Sequence, residues 1–323
     1  MSGSWLGIDL GGTYIKWELL SDDGRSIASG KVRTPTTGHL AVTEAIAALC
    51  QERMAGGGPV EGVGIAVPGH LSPERDTITL LPNVSGEWSG FAVRAYLANR
   101  IDSTPVLLND ARAFAVAELE LGAAHGRSDV LFATIGTGIG GAVVVGGKVV
   151  SSGRDNFGEV GHLTAVIDGE RCGCGSAGCV EAYAGGAYVL ARAQLRGVTV
   201  VDGPDALPLL AREAEHNPVA ERVLEQAYDA FAVGISSVCA YTGARTVVVG
   251  GAVADELDGY RQRCRDRLAD RRLLLGEVEV LASSLGSRAG ALGAALAARS
   301  SHSGSSHSRS ITFPLSQGTG VLT

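Results

Sequence analysis

The chain has 323 residues, with 27 Lys and Arg against 34 Asp and Glu, a formal net charge of −7. Residues 299–323 hold two Arg and no acid, so residues 1–298 carry −9, which speaks against a basic face for nucleic acid or anionic membranes. No run of 18 or more uncharged apolar residues suggests a membrane span, and no basic region precedes the first apolar run. The expected compartment is the cytoplasm, and length alone suggests about two domains.

Strands are predicted over Leu6–Leu10, Tyr14–Leu20 and Ser26–Thr34, joined by turns at Gly11-Gly12 and Asp23-Gly24. A helix follows over His39–Met54, where Ala41, Ala45, Ala48 and Leu49 can share a face. Gly56-Gly57-Gly58-Pro59 ends it, and Val63–Val67 is a short buried strand stopped by Pro68-Gly69. Phe91–Arg100 reads as a helix, Val106–Leu108 as a strand and Ala111–Leu121 as a helix. The pattern then restarts, with strands at Val130–Ile135, Ala142–Val145 and Lys148–Ser152 separated by Gly136–Gly141 and Gly146-Gly147. Two β-turn-β-turn-β segments of one shape indicate an internal duplication in an α/β protein.

After residue 180 helices dominate. Val219–Cys239 follows Asn217-Pro218, Thr246–Val249 is a strand running into Gly250-Gly251 and another helix, and Ala289–Ala298 is a last helix. The division expected is an N-terminal α/β domain over 1–109 and a C-terminal α/β domain over 110–298. The last helix can pack back on the first domain, and the Ser/His/Gly-rich tail over 299–323 is expected to be disordered.

Four groups of residues carry chemistry. In Asp9-Leu10-Gly11-Gly12-Thr13, backbone N–H groups and the Thr13 hydroxyl can meet a phosphate, and Asp9 can hold Mg²⁺ through water; a plain hairpin turn is the alternative. Gly136, Gly138 and Gly141 satisfy G-x-G-x-x-G, but β-branched residues and a turn follow instead of the helix a dinucleotide fold requires. No G-x-x-x-x-G-K-[ST] exists either, which leaves a second phosphate-binding hairpin. Asn109-Asp110 follows a strand, where Asp110 can serve as a general base, as the N-cap of the next helix, or both. His162 with Cys172, Cys174 and Cys179 forms a Cys₃His set suited to structural Zn²⁺ with no open position, and Glu159 and Glu181 flank it.

Together these segments resemble the ROK family of sugar kinases and repressors over roughly residues 5–298. The matching pieces are Asp9–Thr13, Val67-Pro68-Gly69, Asn109-Asp110-Ala111, Ile135–Gly141, Glu159–His162, Cys172–Glu181, Val249-Gly250-Gly251 and Ala289–Gly293. The cysteine segment is the specific one. The resemblance implies an actin-like ATPase (ribonuclease H-like) α/β fold, with duplicated domains closing a cleft around ATP, Mg²⁺ and a sugar. It implies that Asp110 activates the sugar 6-hydroxyl for in-line attack on the γ-phosphate. Gly69, Asn109, Asp110, Glu159, His162 and Glu181 would line the sugar, with His162 also on zinc. Asp9, Gly11, Gly12, Thr13, Thr134, Gly136, Thr137 and Gly138 would hold phosphates, and Gly250 and Gly251 would lie near the adenosine. A homodimer or homotetramer is implied as well.

Some positions depart from the family pattern. Arg112, followed by Phe114, stands where many members carry Asn; Glu87 adds an acid beside Trp88; and Tyr241–Arg245 lacks the common Asn-Pro-Glu. These put glucose, the default substrate, in question and open an amino-sugar (kanosamine 6-kinase) or C7-cyclitol reading within antibiotic biosynthesis. A sugar-responsive repressor is disfavoured, because the first core strand begins at about Leu6 and the charge is acidic. Intact Asp9, Asp110 and glycine loops disfavour a sugar binder without catalysis.

Overall fold

The computed structural model describes residues 3–56, 58–81, 84–151, 157–201 and 203–302. Gly57, Pro82, Asn83, Ser152 and the tail from 303 lie outside the described residues. Two compact units emerge: one of residues 3–116, 148–151, 157 and 290–302, the other of 117–147 and 158–289.

In the first unit, β1 (Ser4–Leu10), β2 (Tyr14–Ser21) and β3 (Ser26–Arg33) form an antiparallel meander. Helix α1 (His39–Ala55) leads to β4 (Val60–Val67), a small hairpin of β5 (His70–Leu71) and β6 (Ile78–Leu80), helix α2 (Val93–Ile101), and β7 (Val106–Asn109). The sheet order is β3-β2-β1-β4-β7, with β4 parallel to both β1 and β7. Strand β1 is buried at every position except Asp9, as a central strand covered on both faces must be. Helix α1 buries Val42, Ile46, Leu49 and Cys50, not the expected alanine face. Alanine gains little from burial, so the larger side chains decide which face meets the sheet.

Helix α3 (Asp110–Glu120) leads to β8 (Val130–Ile135), β9 (Ile139–Val145) and the two-residue β10 (Lys148–Val149). Then come α4 (Val180–Ala184), α5 (Gly186–Leu195), α6 (Ala206–Ala214) and α7 (Pro218–Thr242). The chain closes with β11 (Thr246–Gly250), α8 (Ala252–Glu256), α9 (Gly259–Asp270), α10 (Arg272–Leu275), β12 (Glu279–Ala282) and α11 (Ala289–His302). The second sheet runs β10-β9-β8-β11-β12, with β8 antiparallel to β9 and β11 parallel to β8 and β12. Its order matches the first sheet strand for strand, and the directions of β9-β8-β11-β12 match those of β2-β1-β4-β7, which makes the duplication visible as topology.

Helix α7 begins as its sequence predicts: Asn217 Oδ1 accepts the Val219 and Ala220 amides, and Pro218 takes the first turn. Helix α11 runs four residues past its expected end at Ala298, into the segment read as tail. From Gly290 onward α11 belongs to the first unit and lies hard against its sheet. A Cβ on Gly7 or Gly64 would stand 1.9 Å from the carbonyl oxygens of Ala291 and Ala294 respectively, so only glycine permits this approach.

In the second unit the fully buried Glu118 carboxylate accepts the amides of Ala123, Ser284 and Leu285 at 2.8–2.9 Å, and the Ser284 hydroxyl at 3.2 Å. Its removal would take the acceptor from four donors, three of them backbone amides. Glu118→Ala therefore lowers unfolding free energy by about 3 kcal/mol in urea denaturation; a change under a third of that would show the turn finds other acceptors.

Candidate nucleotide, sugar and metal sites

The second hairpin loop is residues 136–138, because Ile135 pairs with Ile139 across the turn. Its carbonyls face the start of α5: the amides of Gly186 and Ala187 donate to Gly136 O and Thr137 O at 2.9 and 3.1 Å. The Gly136 amide closes the turn on Gly138 O, and the Ile139 amide donates to Glu181 Oε2 at 2.8 Å. Among the described residues the Thr137 and Gly138 amides have no partner, so the loop presents two N–H groups of the kind that cradles phosphate. A Cβ on Gly136 would meet open space, whereas one on Gly138 would stand 2.4 Å from Glu181 Oε2. Thr134 pairs with Gly250, and Gly251, at φ 95°, presses on the Ile135 backbone, where a Cβ would lie 2.5 Å from its carbonyl oxygen. Thr134, Gly136, Thr137, Gly138, Gly250 and Gly251 are thus gathered at the C-terminal ends of β8 and β11.

Beside this loop lie the residues that could hold a metal ion. All six cysteines are free thiols, and Cys50, Cys239 and Cys264 are buried apart from the cluster. One ligand atom from each of His162, Cys172, Cys174 and Cys179 lies within 4.8 Å of the others. Tetrahedral Zn–S bonds of about 2.3 Å set sulfur atoms about 3.8 Å apart. The Cys174 and Cys179 sulfurs are 3.6 Å apart, and Cys172 Sγ is 3.7 Å from His162 Nδ1, so the donor set fits a closed zinc site. Backbone bonds shape it: Cys172 N donates to Ser176 O, Gly175 N to Cys172 O, and Val180 N to Leu163 O. Gly178, at φ 73°, has no room for a side chain, since a Cβ would lie 1.7 Å from Val166 O. With Nδ1 toward the sulfurs, His162 turns Nε2 toward Glu159 Oε2, 4.0 Å away. Cys179 immediately precedes α4, whose first turn carries Glu181, and Glu181 Oε1 lies 3.9 Å from Cys172 Sγ.

In the first unit the loop after β1 is fixed from its carbonyl side. Thr34 Oγ1 donates to Gly11 O at 2.6 Å, Thr34 N to Thr13 O, and Gly11 N to Tyr14 O. The Gly12 and Thr13 amides have no partner among the described residues, as in the second loop. Asp9, the penultimate residue of β1, has its carboxylate 3.7 Å from Lys16 Nζ. Burial pushes the Asp9 carboxyl above its ordinary range, and Lys16 partly offsets this. Gly290 leaves room for that carboxylate at the start of α11, where a Cβ would lie 2.6 Å from its carbon. The buried Asn109 donates from Nδ2 to Gly69 O at 3.0 Å, while its Oδ1 accepts the Ala111 and Arg112 amides. Asn109 is therefore the cap of α3 and Asp110 its first residue, which corrects the reading of Asp110 as cap. Asp110 Oδ1 also accepts the Ala111 amide, at 2.8 Å.

Gly69, Asn109 and Asp110 are gathered in the first unit, and Glu159, His162 and Glu181 in the second. Two of the positions that depart from the family pattern have defined surroundings. Arg112 is buried and donates from Nη2 to Phe157 O at 3.0 Å. Trp88 is buried against Phe91 and His39, with Nε1 on Val84 O, while Glu87 is exposed. Sequence reasoning missed Thr34 as a loop anchor, which lies in no motif, and the part Glu181 plays as acceptor of the Ile139 amide, whose donor is 42 residues away.

Gly136→Ala leaves stability within about 0.5 kcal/mol of the parent, whereas Gly138→Ala displaces Glu181 and costs about 1–3 kcal/mol. Paired thermal melts check this, and equal melting points for the two variants would refute the crowding at Gly138. Metal analysis finds about one zinc per chain, and Cys174→Ser reduces it; a metal-free protein of unchanged melting temperature would refute the site.

Residues 5–301 match the ROK family. A glucokinase of Streptomyces coelicolor is 32% identical over 319 residues, covering 92% of this chain and 98% of its own. An N-acetylmannosamine kinase of Escherichia coli O157:H7 is 32% identical over 296 residues, covering 91% and 98%. The ROK hexokinase of Thermus thermophilus superposes with a TM-score of 0.82 at 36% identity, over 93% of this chain and 99% of that one. A ROK family glucokinase from Streptomyces griseus, solved with glucose and AMPPNP, gives 0.75 at 30% identity over 92% and 100%. With that agreement along nearly its whole length and the actin-like ATPase fold it shares with these neighbours, the chain belongs to the ROK family.

Proposed function

We propose that the protein is an ATP-dependent sugar kinase that transfers the γ-phosphate to the 6-hydroxyl of a hexose, with glucose as the first acceptor to consider. The observation that carries this is the division of labour at the start of α3. Asn109 alone takes the Arg112 amide and ties itself to Gly69 O, so the cap does not depend on the Asp110 carboxylate. That carboxylate, partly exposed at the C-terminal end of β7, accepts the proton of the sugar hydroxyl. The oxygen so activated bonds to the γ-phosphorus while the bond to the ADP oxygen breaks, giving the sugar 6-phosphate and ADP. Such transfer rests mostly on positioning and charge stabilisation.

The amides of Gly12 and Thr13, and of Thr137 and Gly138, serve the phosphates, with Thr134, Gly136 and Gly11 shaping the loops. Asp9 holds a water of the nucleotide's Mg²⁺, and Gly250 and Gly251 admit the adenosine. Gly69, Asn109, Glu159, His162 and Glu181 contact the sugar. Zinc, held by His162, Cys172, Cys174 and Cys179, is structural: four protein donors leave it no position for substrate. It would stiffen the segment around His162 and the start of α4, which carries Glu181. The unit of function is a homodimer or homotetramer, for which the exposed Leu273 and Leu274 supply apolar area.

A second acceptor class, an amino-hexose such as kanosamine or a C7-cyclitol, is favoured by the exposed Glu87 and by the N-acetylmannosamine kinases among the relatives. ADP release measured over glucose, mannose, N-acetyl sugars, kanosamine and valiolone-type cyclitols distinguishes the two; no turnover with any of them would sink the kinase reading. Asp110→Asn lowers kcat by about 10²–10⁴-fold with sugar affinity little changed, and near-parental kcat would refute its role as base.

A further inference from the structure

The second unit carries a cavity of about 560 Å³ at the N-terminal edge of its sheet, the end opposite the glycine loop. Thr246 and Glu279, which open β11 and β12, line it, whereas Thr134 and Gly250 lie at the C-terminal ends of β8 and β11. Along the strands the two places are roughly 13 Å apart. The volume falls in the range of small-molecule sites.

Four arginines line this cavity, Arg127, Arg245, Arg265 and Arg272, with two acids, Glu277 and Glu279. Arg127 pairs with Glu279 at 2.7 Å and donates to Thr246 Oγ1, and Arg272 pairs with Glu277. The cavity's own acids are thereby taken. Arg245 and Arg265 make no ion pair among the described residues, and Arg265 donates only to Gln262 Oε1, at 3.3 Å. Asp129 feels the charge of Arg245, yet its oxygens accept the Ser128 hydroxyl and the Gly146 amide. Two guanidinium groups thus face a concave wall with their forks available, in a chain whose net charge is −7. Guanidinium forks match the oxygens of phosphate in geometry and charge.

We propose that this cavity binds a small phosphate-bearing polyanion, inorganic pyrophosphate or a sugar phosphate, clamped by Arg245 and Arg265. The site is independent of the kinase reading, because none of its residues belongs to the loops or carboxylates invoked there.

The test is isothermal titration of the full chain, without nucleotide or Mg²⁺ and at low salt, with pyrophosphate and separately with glucose 6-phosphate. Saturable binding of either probe is expected, and which one binds tells the inorganic from the sugar-borne source. The double variant Arg245→Ser with Arg265→Ser loses about tenfold or more in affinity. Both residues are exposed, so its melting temperature stays at the parental value. A second double variant, Arg245→Lys with Arg265→Lys, keeps the charge without the fork and binds at intermediate affinity. Absence of saturable binding to both probes would overturn the proposal. So would an undiminished titration in the serine variant, since the anion would then sit on the glycine loops.

Discussion

One hydrogen bond joins the two halves of the chemistry in the second unit: the Ile139 amide on Glu181 Oε2. It fixes the first residue of β9, directly after the loop whose Thr137 and Gly138 amides have no partner among the described residues. The same carboxylate stands two residues beyond Cys179 of the Cys₃His set and within 3.9 Å of Cys172 Sγ. Displacement of the Cys/His loop would therefore move the hairpin that carries the Thr137 and Gly138 amides. Gly138 is glycine for this reason, since the carboxylate occupies the place where its Cβ would be. Among the described residues of the first unit no carboxylate holds the loop in this way. There Thr34, reached from β3, grips the equivalent loop by its carbonyls and turns the Gly12 and Thr13 amides outward.

The two sheets solve one geometric problem twice. An antiparallel hairpin followed by two parallel strands places each glycine turn at the C-terminal end of the central strand, beside the end of the next parallel strand. At that end, partly exposed backbone amides can face a ligand while the strands themselves stay buried. The high glycine content follows from packing as well as from turns. Gly7 and Gly64 let α11 lie on the first sheet, and each would drive a Cβ into a helix carbonyl. Such contacts leave no tolerance for growth, so the small-residue face of α11 is a requirement of fold rather than a weak helix signal.

Much of this was legible in the sequence because the informative residues are local. Strand and turn positions, the cap of α7 and the Cys₃His set all depend on neighbours within a few positions. What escaped depends on distant partners. The buried face of α1 escaped because three alanines and a leucine outweigh Val42 and Ile46 in a count, though not in buried area. Strand β12 went unread: its Glu279 faces solvent and its four residues are ordered by pairing with β11. Glu118 looks like an ordinary acid in the sequence, and only its amide donors, up to 167 residues away, give it meaning; the hold of Glu181 on the Ile139 amide is equally invisible there, though the residue itself stands out beside the cysteines.

The start of α3 shows why a motif alone could not assign roles to Asn109 and Asp110. Either side chain can cap a helix, and the sequence offers both in succession. The choice is made by backbone geometry. Asn109 is the last residue of β7, and one end of its amide is already committed to Gly69 O. That bond aims Oδ1 at the second and third amides of the helix, the positions an N-cap serves. An aspartate at 109 could accept those amides but could not donate to Gly69, so the asparagine is specified by needing both a donor and an acceptor. The carboxylate is then best placed at the following position, where the helix end tolerates its charge and the cap has no need of it.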